Sequence, residues 1–415
     1  MCADLLRTFP LEMEDLLGTH NSVPAQTLLD STLSRRWLCE EHLLPTQRMT
    51  VDFPLGAFPF SRSTCSPMSK GMELAQMSVE QLEETAKTLF TNDKGLLAMD
   101  ESNPTCNKRF AQLGIPQTVE ARRAYRELIV TTPRLGECIG GAILYDETIR
   151  QQTSDGTPFI KVLIEAGIIP GIKVDAGAKE LAGHPGEKVT EGLDGLRDRL
   201  AEYAKMGARF AKWRAVITIG DGTPSWGSIQ ANAHALARYA ALCQEAGLVP
   251  VVEPEVLMDG DHTLKQCYEA TDEILRTVFS QLFAQRVKLE GMVLKPNMVL
   301  PGLACTQHQS VDEVADATVK CFLRAVPAAV PAIAFLSGGQ SAELASARLN
   351  AMNNRFKSLP WAVAFSFSRA IQQPALDIWK GQDSNVKAAQ QALYHRALCN
   401  QAARRGEYSA AMEKA

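Results

Sequence analysis

The feature that most constrains this chain is a rhythm that begins at Ser78 and repeats eight times: a short apolar run, a polar turn, then an amphipathic helical stretch. Such alternation predicts βα units feeding a parallel sheet. The apolar runs and their endings are Leu96 to Met99 into Asp100-Glu101-Ser102, Gly141 to Leu144 into Tyr145-Asp146-Glu147, Ile168 to Ile172 into Lys173-Val174-Asp175, and Phe210-Ala211 into Lys212-Trp213-Arg214. The second half continues with Val249 to Val252 into Glu253-Pro254-Glu255, Met292 to Leu294 into Lys295-Pro296-Asn297, Ile333 to Leu336 into Ser337-Gly338-Gly339, and Val363 to Phe367 into Ser368-Arg369. Eight parallel strands fit one closed α/β barrel, a (β/α)8 TIM barrel, and 415 residues leave room for it. A doubly wound open sheet would alternate in the same way, but it should carry a glycine-rich turn after its first strand. None follows Ala98. The barrel is therefore expected over residues 77–395, with 396–415 as a mobile C-terminal tail.

Charged residues end nearly every apolar run, on the side where a barrel gathers its active site. Lys295 follows Val293-Leu294, so its ammonium must be paired or shifted in pKa. With Lys212 in the same mouth, two ammonium groups should repel and push one toward the neutral amine that imine chemistry requires. Glu253 and Glu255 alternate along one strand and so point the same way. One can balance the lysines and the other can shuttle protons, although pairing with Lys212 or Arg214 for stability alone remains an alternative. Asp100 reads equally as a base or as a helix cap. Ser337-Gly338-Gly339 and Ser368-Arg369 end the seventh and eighth runs, where barrels often hold a phosphate on backbone N–H groups and a helix N-terminus.

Composition narrows the rest. A net charge of −4 supplies no basic field for nucleic acid or an anionic membrane, and small anionic substrates stay open. No apolar run is long enough to cross a bilayer. Ten cysteines without CxxC pairs read as reduced thiols, favouring the cytoplasm. Residues 1–76 lack a sustained period and are broken by Pro45, Pro54, Pro59 and Pro67, so they are expected to be a disordered extension or a mis-assigned start. A plastid transit peptide is disfavoured by Asp4, Glu12, Glu14, Asp15, Glu40 and Glu41. The seven histidines form no ligand pair, and His262 reads as a polar turn residue, so neither metal nor other cofactor is expected.

The motifs LLAMDES (Leu96 to Ser102), GIKVD (Gly171 to Asp175), FAKWR (Phe210 to Arg214), VVEPE (Val251 to Glu255), VLKPNMV (Val293 to Val299), LSGGQS (Leu336 to Ser341) and AFSFSRA (Ala364 to Ala370) resemble the class I fructose-bisphosphate aldolases. The resemblance implies a Schiff base on Lys295, with Glu253 as acid and base in imine formation and Asp100 as base for the C4 hydroxyl. Lys212 and Glu255 would be electrostatic partners. It implies sugar or distal-phosphate contacts from Arg109, Arg122, Lys173 and Arg214, and a C1-phosphate site at Ser337, Gly338, Gly339, Ser368 and Arg369. The reaction implied is reversible cleavage of fructose 1,6-bisphosphate in glycolysis, gluconeogenesis or carbon fixation, by a homotetramer.

Three departures from the family pattern stand out. Met99 replaces a common alanine, Phe367-Ser368-Arg369 replaces Tyr-Gly-Arg, and the chain ends at Ala415 instead of a terminal tyrosine, with Tyr408 as a substitute. The rivals are another imine-forming lyase or transaldolase on the same barrel, and a non-catalytic scaffold. The second would leave Lys295, Glu253, Lys212 and Asp100 as a cluster of buried charges that only costs stability.

Overall fold

The computed structural model describes residues 70–414, with side chains from Val79 onward; the expected extension lies outside the described residues. Among the described residues there are ten strands: β1 (Gly95–Ala98), β2 (Ile139–Leu144), β3 (Ile169–Lys173), β4 (Ala178–Glu180), β5 (Lys188–Thr190), β6 (Phe210–Ile217), β7 (Val249–Val256), β8 (Val293–Leu294), β9 (Ala332–Phe335) and β10 (Ala362–Phe367). Eight of them close a barrel in the order β1-β10-β9-β8-β7-β6-β3-β2, and every ladder between them is parallel. Each predicted apolar run supplies one barrel strand. The remaining pair, β4 and β5, forms a small antiparallel hairpin after β3.

Side-chain alternation sorts the barrel strands between two cores. Leu97 and Met99, Trp213, Val252 and Leu294 belong to the layer between sheet and helices, where Trp213 lies against Tyr239 with ring centroids 5.5 Å apart. Leu96 and Ala98, Phe210, Val249 and Val251, Val293, Ala334 and Ala364 fill the barrel interior. The helix Lys70–Thr88 brings Leu82 and Ala86 to that inner cluster, joined by Leu89 and Phe90 just beyond it, so the bottom of the barrel is sealed with apolar groups.

The interior is tight. A Cβ added at Gly171 would stand 2.3 Å from the Phe210 ring, and one at Gly141 would stand 2.6 Å from Leu89 Cδ2. Two of the inner positions on β2 and β3 are therefore glycine because an aromatic or a leucine from a neighbouring segment already occupies the space.

The C-terminal boundary differs from expectation. The last long helix runs Val386–Arg405, across residue 395, and buries Ala397, Cys399, Asn400, Ala402 and Ala403. The helical period keeps an apolar face on the barrel through these residues, so a tail can begin only after Gly406, which ends the helix at φ +75°. Gly171→Ala should lower stability by about 1 to 3 kcal/mol through overpacking against Phe210. Calorimetric melting that leaves the transition temperature unchanged would contradict this packing.

Candidate active site

Alternation builds the site. On β6 the inward series begins with Phe210 and continues through Lys212 and Arg214; on β7 it runs Val249, Val251, Glu253, Glu255; on β1, Leu96, Ala98, Asp100; on β8, Val293, Lys295. Each strand thus starts apolar at the sealed bottom and turns charged at the carboxyl end. These ends enclose a cavity of about 710 Å³ lined by Asp100, Lys173, Lys212, Arg214, Glu253, Glu255 and Lys295, with Arg109, Ser337, Gly338, Ser368 and Arg369 also on its wall.

Glu253 joins the two lysines. Lys295 Nζ stands 2.8 Å from its Oε1 and Lys212 Nζ 3.2 Å from its Oε2. Lys212 also lies 2.7 Å from Asp100 Oδ2. All four side chains are buried. Burial disfavours the charged forms of Asp100, Glu253 and Lys212, yet their partners win. Asp100, although desolvated, is brought down to about 2 by Lys212 and Lys295, and Glu253 is lowered by Lys212, Lys295 and Arg214. Burial also opposes the Lys212 ammonium, but Asp100, Glu253 and Asp175 raise its pKa. Of the two lysines, Lys212 is therefore the one that keeps its charge, because Asp100 and Glu253 outweigh the ammonium repulsion there. Glu255 pairs with Arg214 through a short contact and so leaves Lys212 to Asp100 and Glu253.

Other expected residues fall into three groups. Lys173 lines the cavity and reaches Asp175 Oδ1 at 3.1 Å, while Arg109 lines it with Nη1 on Glu101 Oε1 at 2.7 Å. Arg122 is elsewhere: its guanidinium clasps Glu147 at 2.7 Å and donates to Asn107, so it acts in helix packing and does not reach the cavity. Gly339 borders a smaller neighbouring cavity with Arg369, and a Cβ there would sit 3.6 Å from Arg369 Nη2. Gly338 and Gly339 have φ of +59° and +98°, a left-handed turn that glycine allows without strain.

The departures find places. Met99 faces the outer layer, so its extra volume never enters the cavity. Ser368 has φ −108°, outside the left-handed region, which is why a serine fits there; its hydroxyl donates to Glu101 Oε1 at 2.7 Å. Tyr408 lies away from the cavity, donating to Glu413 Oε1 at 2.7 Å. His262, read as a turn residue, is buried, and burial lowers its pKa.

Sequence reasoning missed several groups. Glu101 is a hub that binds Arg109, Arg126, Ser368 and Gln372, tying the end of β1 to the end of β10. Its signal was its place beside Asp100; Arg126 and Gln372 are helix residues with none. Ser366 continues the inward series of β10, lines the cavity, and has a buried hydroxyl without a partner. Among the described residues His395, Cys399 and Glu413 converge, but Arg396 and Tyr408 already hold that carboxylate.

Residues 81–415 match the model of the family described as fructose-bisphosphate aldolase class-I. The chain belongs to the class I fructose-bisphosphate aldolase family. It is 57 % identical over 333 residues to a probable fructose-bisphosphate aldolase class 1 of Xanthomonas campestris pv. campestris, covering 80 % of this chain and 99 % of that protein. It is 50 % identical over 329 residues to the cytosolic fructose-bisphosphate aldolase 6 of Arabidopsis thaliana, covering 79 % and 92 %. The solved aldolase of Plasmodium falciparum, in a complex with TRAP and a small-molecule inhibitor, superposes with a TM-score of 0.79 at 45 % identity, covering 80 % of this chain and 96 % of that one. The barrel, the family and the cavity thus coincide in this aldolase chain.

Because the folded pKa of Asp100 lies below its unfolded value of 3.8, its ion pair stabilises the fold above that pH and is lost as pH falls toward about 2. Asp100→Asn should therefore show a shallower fall of melting temperature between pH 6 and 3, a range around the ordinary carboxyl value of about 4. Parallel acid limbs in scanning calorimetry would contradict the assignment.

Proposed function

We propose that this aldolase cleaves fructose 1,6-bisphosphate reversibly to glycerone phosphate and glyceraldehyde 3-phosphate through an imine on Lys295. The observation that carries the reading is the 2.8 Å contact between Lys295 Nζ and Glu253 Oε1 inside the cavity. Glu253 accepts a proton from the Lys295 ammonium, and the free amine attacks C2 of the open-chain ketose. Glu253 then returns a proton to the carbinolamine hydroxyl, which leaves as water, and the protonated imine becomes the electron sink. Asp100, ionised and 2.7 Å from Lys212, takes the C4 hydroxyl proton as the C3–C4 bond breaks. The bond's electrons enter the imine, giving an enamine and the aldehyde. Protonation at C3 and hydrolysis release glycerone phosphate and restore Lys295. The scheme balances without a metal or other cofactor.

Substrate orientation follows from where the cations stand. Ser337, Gly338 and Arg369 take the C1 phosphate, with the Gly338–Gly339 turn offering backbone N–H groups. Lys173 and Arg214, on β3 and β6 across the barrel from β9 and β10, serve the distal end, while Arg109, held by Glu101 and Gln373 beside β10, serves the sugar. The Ser368 hydroxyl is committed to Glu101, so this residue contributes through its backbone and by fixing the loop. A homotetramer belongs to the same reading, supported by the large apolar side chains Trp226, Phe283 and Leu303 that a single chain leaves exposed. The seven cysteines among the described residues stand free, which favours the cytoplasm.

Borohydride added with glycerone phosphate should label the protein irreversibly, and peptide mapping should place the label on Lys295. A label on Lys212 or Lys173, or none, would overturn the mechanism.

A further inference from the structure

The Ser337–Gln340 turn is followed directly by the helix Ala342–Arg355, and Arg348 sits on that helix's buried face, 7 % exposed. Other buried arginines here hold carboxylates: Arg122 has Glu147, Arg126 has Glu101 and Arg396 has Glu413. Arg348 pairs with no carboxylate among the described residues. Its Nη1 donates to Gln340 Oε1 at 2.8 Å, and its Nε has no partner. Gln340 in turn closes the turn, its backbone N–H donating to Ser337 O at 3.0 Å, and its amide reaches Met298 Sδ at 3.7 Å.

Side chains on a helix lean toward its N-terminus. The guanidinium therefore lies under the first turn, at the positive end of the macrodipole, where a cation is disfavoured. Burial, with no carboxylate to offset it, pulls its pKa down to about 10. A lone buried cation at that end costs stability unless an anion completes it. Immediately before Gln340 lies a turn built for one, where Gly338 and Gly339 hold positive φ and Arg369 reaches in beside Gly339.

We propose that Arg348, acting through Gln340, is a positioning residue for the phosphate turn, its uncompensated charge reserved for a phosphate dianion bound between Ser337–Gly339 and Arg369. The inference rests on the assignment of that turn to the C1 phosphate. Arg348 contributes twice: the hydrogen bond to Gln340 fixes the turn's curvature before substrate arrives, and the charge supplies an attraction strengthened by its low-dielectric setting. The fold accepts a less stable empty state in exchange for a tighter phosphate complex. Because the charge acts on ground state and transition state alike, its effect belongs on KM.

The test compares Arg348→Met, Arg348→Lys and Arg369→Ala in the full chain, by steady-state kinetics with fructose 1,6-bisphosphate and by melting with and without inorganic phosphate. Arg348→Met should raise KM about tenfold with a smaller change in kcat, and Arg348→Lys should recover most of the loss. Without phosphate the melting temperature of Arg348→Met should equal or exceed that of the unaltered protein, and the rise caused by phosphate should shrink. A phosphate-induced rise as large as in the unaltered protein, or a fall in kcat and melting temperature that lysine does not repair, would overturn the proposal. Arg369→Ala separates the two failures: if it too keeps the full rise, the turn is not the phosphate site, whereas if it alone loses the rise, only the role of Arg348 falls.

Discussion

The site depends on one carboxylate shared by two lysines. Glu253 places one oxygen 2.8 Å from Lys295 and the other 3.2 Å from Lys212, while Lys212 turns its remaining reach to Asp100. Four charges are thus buried in one chain of contacts, each compensated by the next. Removing one partner from such a set typically costs about 3 to 5 kcal/mol, because the survivor is left charged and desolvated. The same chain sets protonation. With its pKa held at about 2, Asp100 is ionised at neutral pH, and Glu253 lies within hydrogen-bond reach of the Lys295 ammonium.

The barrel is what makes this arrangement affordable in structural terms. Because side chains alternate with period two, a strand that begins with Phe210 inward must also send Lys212 and Arg214 inward. The bottom layers are dry and crowded, with Phe210 pressed against Gly171, so the charged layer cannot slip downward. The helix Lys70–Thr88 and the apolar groups that follow it close the lower end, leaving the carboxyl end as the open one. A second layer of support lies behind the first, where Glu101 links Arg109, Arg126, Ser368 and Gln372 across the seam between β1 and β10.

Much of this was legible in the sequence because it is local. Apolar runs of strand length, each ending in a charge, specify both the eight strands and the residues at their tips; Lys295, Glu253, Lys212 and Asp100 were all found that way. What escaped depends on distance in the chain. Arg122 carries no mark telling it from a phosphate ligand, and its partner Glu147 comes from a different unit. Arg126 and Gln372 lie on helices far apart in sequence and meet only through Glu101. The carboxylate oxygens around Lys212 are not legible for the same reason: alternation puts both lysines in one mouth, but the oxygens of Asp100 and Glu253 beside Lys212 are set by three-dimensional placement. The end of the barrel at Gly406 was hidden because small residues such as Ala397, Ala402 and Ala403 form an apolar face without a strong pattern.

The proposed role of Glu253 in carrying the proton traffic of Lys295 can be read by quench-flow measurement of imine formation in Glu253→Gln with glycerone phosphate. The glutamine variant should still form its imine on Lys295, but about 10² to 10⁴ times more slowly, the ordinary contribution of a positioned acid and base. Imine formation at the rate of the unaltered protein would contradict it, since the contact between Lys295 and Glu253 would then be structural only.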